Sequence, residues 1–89
     1  MRHATESDLA SLAQLLSELD NLALEWPALK LRKKGVYYLK SKAFLHFHED
    51  EGALLADVKL DGITFESFNV STRKGQSKLL RDIKGLLTA

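Results

Sequence analysis

Two of the chain's three histidines, His46 and His48, stand two residues apart in the run Lys-Ala-Phe-Leu-His-Phe-His-Glu-Asp-Glu-Gly, residues 42–52, and three acids follow directly. Imidazole is the commonest protein ligand for transition metals and the commonest acid–base group near neutral pH. A spacing of two matters because alternate side chains of a β-strand share one face. If this run is a strand, both imidazoles point the same way, and a carboxylate from a neighbouring strand could join them around a divalent ion. An H-x-H pair by itself is equally at home in a half-exposed strand that ends in a charged turn. His3 is set apart as part of a frayed end.

The elements that would hold these residues can be read from hydrophobic period and turn chemistry. Leu9, Leu12, Leu16, Leu19 and Ala23 recur at three- and four-residue spacing, with Ala13 and Leu15 widening the stripe. This predicts a helix over 6–22, capped by Thr5 or Ser7 and ended before Trp26 by the constraint of Pro27. Residues 23–35 form a connection in which Trp26 plugs an edge of the core. The run Lys-Leu-Arg-Lys-Lys-Gly, 30–35, is a charged turn or a short edge strand. The period then changes to two, which predicts strands at 36–40, 43–48, 54–60 and 63–70. Asp61-Gly62 separates the last two as a two-residue type I′ hairpin. A final helix begins near Ser71 or Thr72, with Leu79, Leu80, Ile83, Leu86 and Leu87 on one stripe. Gly75 and Gly85 weaken it.

The expected fold is therefore one α+β domain, residues 1–89. It is a four-stranded antiparallel meander in the order α-β-β-β-β-α, with both helices on one face of the sheet. Two helices of about 10 Å diameter cover one face of a sheet four strands wide and leave the other open. The Asp61-Gly62 turn would set Val58 opposite Phe65 and Ala56 opposite Ser67 on the covered side. The open face would then collect Phe44, His46, His48, Leu55, Asp57, Glu66 and Phe68. Asp57 directly opposite Glu66 would be an unfavourable like-charge pair unless the histidines, or a metal held with them, compensated.

Other chemistry finds little footing. There is no cysteine, hence no disulfide, thiol nucleophile or cysteine-bound zinc. No dinucleotide, phosphate-loop, zincin or nucleophile-elbow motif occurs. No run approaches a membrane span, and Glu6 and Asp8 interrupt any signal-peptide pattern. A reducing cytoplasm fits. The net charge is +1, with charge arranged in blocks. Residues 30–48 hold six bases and no acid, and residues 49–66 hold six acids and one base. Alternating blocks can neutralise one another in space, so charge is poor ground for a nucleic-acid partner, although Lys30, Arg32, Lys33 and Lys34 beside Tyr37 and Tyr38 define where one would bind. The Arg-Lys-Gly-Gln-Ser-Lys run at 73–78 offers a helix start to an anion, or is simply basic.

The segment 34–70 together with the final helix, most specifically Ala-Phe-Leu-His-Phe-His-Glu-Asp at 43–50 followed by Ala-Asp-Val at 56–58, resembles a small family of uncharacterised bacterial proteins. Some longer relatives in that family carry a luciferase-like label. The resemblance implies strand boundaries and draws attention to His46 and His48, but it implies no reaction or cofactor. The function expected first is a non-enzymatic binding or interaction module acting through the open sheet face. The alternatives are a metal-binding protein or small enzyme using His46, His48, Asp57 and Glu66, and nucleic-acid binding through 30–34. Phe44, Leu55 and Phe68 would form an apolar patch, for which a second copy of the chain is the simplest partner.

Overall fold

The computed structural model describes residues 2–89. The element order is β1 (Arg2–His3), α1 (Glu6–Ala10), α2 (Ala13–Glu25), β2 (Leu29–Lys33), β3 (Val36–Leu39), β4 (Lys42–Asp50), β5 (Ala53–Val58), β6 (Glu66–Asn69) and α3 (Arg73–Thr88). The strands form one antiparallel sheet in the order β2-β3-β4-β5-β6, and β1 pairs with the end of β4 beyond the reach of β3. The sheet thus has six strands where four were expected. The basic run at 30–34 forms most of an edge strand, and two residues at the N-terminus make another.

Tight turns set the central register. Lys40-Ser41 and Glu51-Gly52 each place both central residues at positive φ, the requirement of a type I′ hairpin. Leu39 therefore pairs with Lys42 and Asp50 with Ala53. From the second turn the β4–β5 ladder runs without a break to Leu45 opposite Val58.

Asp61-Gly62 does not make such a turn. Its carboxylate accepts hydrogen bonds from the Ile63 and Thr64 backbone N–H groups, both at 2.8 Å. These two bonds hold the Asp61 carboxyl below the usual carboxylate range. A side chain that captures its own backbone in this way competes with strand pairing. The connection opens into a loop, and β6 begins only at Glu66. Val58 then pairs with Glu66, Asp57 with Ser67 and Ala56 with Phe68. This is one residue away from the expected register, and a slip of one moves every side chain of β6 to the other face.

The N-terminal helix is also divided. Thr5 and Asp8 form a reciprocal capping box at the start of α1. Ser11 then donates its hydroxyl to the Asp8 carbonyl at 2.6 Å. That competes with helix propagation, and the chain turns before α2 starts. Leu15, Leu16, Leu19 and Leu22 of α2 join Leu79, Leu80 and Ile83 of α3, with Tyr37, Leu45, Phe47, Ala56, Val58 and Phe68 of the sheet, in one buried cluster. Trp26 packs against its border. Tyr37 is buried and donates its hydroxyl to Asp20 at 2.6 Å, tying the sheet to α2. Burial first, and then the Asp20 carboxylate, push the Tyr37 phenol far above its ordinary value. Among the described residues, no helix is long and apolar enough to cross a membrane.

Candidate metal centre

Alternation along β4 decides where the histidines go. Leu45 and Phe47 enter the helix-covered core, so His46 and His48 lie on the other face. The unbroken β4–β5 ladder puts His46 opposite Asp57 and His48 opposite Leu55. His46 Nε2 and His48 Nδ1 each stand 3.1 Å from the same oxygen, Asp57 Oδ2. The three donor atoms lie within 4.8 Å of one another.

The environment grades from wet to dry across this cluster. The His46 side chain is 32% exposed, that of Asp57 16% and that of His48 only 4%. Neither ring nitrogen of His48 makes a hydrogen bond within the protein, although Nδ1 is at hydrogen-bond distance from Asp57. Distance without alignment contributes little hydrogen-bond energy. A buried polar atom left this way costs about 1–3 kcal/mol and calls for a reason. A tetrahedral ion bound at 2.0–2.2 Å would set its ligand atoms roughly 3.3 Å apart. The two separations from Asp57 Oδ2, 3.1 Å each, are slightly shorter than that and the third lies within 4.8 Å, so small side-chain adjustments would admit an ion, which would also satisfy Nδ1.

Ser67 sits where Glu66 was expected. Its hydroxyl donates to Asp57 Oδ1 at 2.5 Å, so one carboxylate oxygen is held and the other, Oδ2, faces the imidazoles. Such outer partners orient ligating carboxylates. Phe65, in the opened loop, meets the His46 ring edge-on at a centroid distance of 5.1 Å, and the Lys59 ammonium lies 4.7 Å from the Phe65 ring centroid. His3 pairs directly with His48 across β1 and β4, and its ring lies 6.3 Å from that of His46. All three histidines of the chain are therefore grouped on one face.

Four sequence expectations need correction. Phe68 is buried opposite Ala56, because the register slip turns it inward. Glu66 is opposite Val58 and exposed, so the like-charge pair with Asp57 does not form. Phe44 is also buried. Tyr37 pairs with Leu45 but Tyr38 with Ala43, which leaves Phe44 as the extra residue of a β-bulge, and the bulge lets two successive residues, Phe44 and Leu45, enter the core. Of the apolar patch, only Leu55 remains on the outer face, half-buried, so the expected dimer loses the surface on which it rested.

The sequence reading missed His3, Ser67 and Phe65. A signal for His3 was present: the Thr5–Asp8 capping box starts the helix and frees the preceding residues to extend. Ser67 and Phe65 depended on a loop whose length the Asp61-Gly62 pattern misstated. The basic run is exposed along β2, with the Arg32 guanidinium 4.8 Å from the Tyr38 ring centroid. At the start of α3 the Thr72 hydroxyl already accepts from the Gly75 N–H, so that end is self-capped.

No protein-family model, curated protein or solved structure matches the chain.

Proposed function

We propose that this chain is a cytoplasmic metal-binding module that takes a divalent first-row ion, zinc above all, through His46 Nε2, His48 Nδ1 and Asp57 Oδ2. The observation that carries the reading is the buried His48 ring, without a hydrogen-bond partner yet 3.1 Å from the oxygen that His46 also approaches. Two imidazoles and a carboxylate suit zinc, nickel, copper or iron and suit magnesium and calcium poorly. Ser67 supports the reading by holding the carboxylate's other oxygen. The two stretches that carry the bacterial resemblance, 43–50 and 56–58, contain all three donors.

Calorimetric titration of the untagged protein with zinc tests this. The expected result is one ion per chain, with binding abolished in His48→Ala and in Asp57→Ala. A wild-type chain that binds no zinc, nickel or copper contradicts it.

A further inference from the structure

β1 is only two residues long, yet it is pinned on both sides. The Arg2 guanidinium contacts Asp8 Oδ2 and Glu49 Oε1, each at 2.9 Å. The Ala4 N–H donates to the Phe47 carbonyl at 3.2 Å. That bond makes Ala4 and Phe47 a hydrogen-bonded pair of the antiparallel ladder. His3 and His48, one step along, are consequently a non-hydrogen-bonded pair. In such pairs the Cα atoms approach to about 4.5 Å and the side chains lie closest. The His3 ring is exposed, shares a face with His46 and His48, and meets the His46 ring edge-on at 6.3 Å. Two side-chain torsions steer it, and an exposed ring changes rotamer in picoseconds to nanoseconds.

We propose that His3 supplies a fourth ligand to the ion and that metal binding thereby clamps β1 onto the sheet. The inference rests on the metal-site reading above and deepens it. Four protein ligands leave no open coordination position, which is the mark of a site that holds its ion rather than one that presents it to a substrate. The ion then joins β1, β4 and β5 through side chains in addition to their backbone pairing, the Arg2–Glu49 ion pair and the close approach of His46 and His48 to Asp57.

The test uses residues 1–89 with no histidine tag, probed with cobalt(II) and zinc(II). Wild type should give the intense visible bands of four-coordinate cobalt. His3→Ala should give weaker bands, as water enters the coordination sphere. Its zinc affinity should fall by at least the roughly 10- to 100-fold that even outer partners of a metal site cost. Exchange of the Ala4 amide should slow on adding zinc to wild type and stay unchanged in His3→Ala. If His3→Ala binds zinc as tightly as wild type with the same cobalt spectrum, the fourth ligand is overturned while the three-donor site stands. If wild type binds neither ion, both fall together.

Discussion

His48 Nδ1 lies 3.1 Å from Asp57 Oδ2 and makes no hydrogen bond to it, in a side chain that is 4% exposed. In the metal-free chain this arrangement is a local cost, because the ring has given up water for nothing equivalent. Replacing it with an apolar side chain removes the cost. His48→Leu should therefore stabilise the metal-free fold, by about 1 kcal/mol, and abolish zinc binding. Denaturant melts with and without zinc check both halves. A His48→Leu chain clearly less stable than metal-free wild type would mean that the imidazole is already well satisfied.

Metal should stabilise the wild-type fold by linkage. At a free zinc concentration 100 times the dissociation constant, the gain is about 2.7 kcal/mol. In a domain of this size each kcal/mol moves the melting temperature by about 4–8 °C. A rise of more than 10 °C is expected in wild type and none in Asp57→Ala.

Ser67 acts on the ion only through Asp57. Ser67→Ala should leave the metal-free melting temperature almost unchanged and weaken zinc binding roughly 10- to 100-fold. Equal loss in a surface serine such as Ser17 would show that the effect is not specific to the Asp57 contact.

Gly75 answers to packing rather than helix propensity. A Cβ built there would lie 1.7 Å from the Asn69 carbonyl oxygen, so α3 can approach the end of β6 only at a glycine. Alanine is the better helix former by about 1 kcal/mol, yet Gly75→Ala should destabilise by about 1–3 kcal/mol, the usual cost of overpacking. Gly85 has open space around it, so Gly85→Ala should stabilise. Paired denaturant melts of the two variants distinguish packing from propensity.

Two ionisable groups give the pH limits. The Asp8 carboxyl is held below its ordinary value, first by the Thr5 backbone N–H and also by Arg2. A depressed carboxyl contributes stability above its unfolded value, near 3.9, and loses it as pH falls through the lower folded value. Asp8→Asn should therefore flatten the acid limb of the stability profile. Tyr37 is raised, so the sign reverses. Its contribution is complete below the unfolded value near 10 and fades as pH rises above it. Tyr37→Phe should cost about 1 kcal/mol at neutral pH, through loss of the Asp20 bond, and should soften the alkaline limb.

The central part of this architecture was legible because short turns leave little freedom. Residues 49–52 were expected only as a charged turn; the structure shows that Glu51-Gly52 fixes β4 against β5 and pairs His46 with Asp57. Period-two alternation placed His46 and His48 on one face. What failed was decided by competition that a pattern does not show. Asp61 captured two backbone donors and opened a loop where the Asp-Gly pair promised a hairpin. The bulge at Phe44 broke alternation inside a strand whose outer half kept it. A two-residue strand such as β1 has no period at all. It forms because the ends of the ladder and the Arg2 ion pairs hold it.

The most direct measurement is long-range proton–nitrogen NMR of the histidine rings during a zinc titration. The account predicts that His46 Nε2 and His48 Nδ1 become metal-bound together at one equivalent, each ring keeping its proton on the other nitrogen. Imidazole signals that do not move with zinc, or binding through the opposite nitrogens, would contradict it.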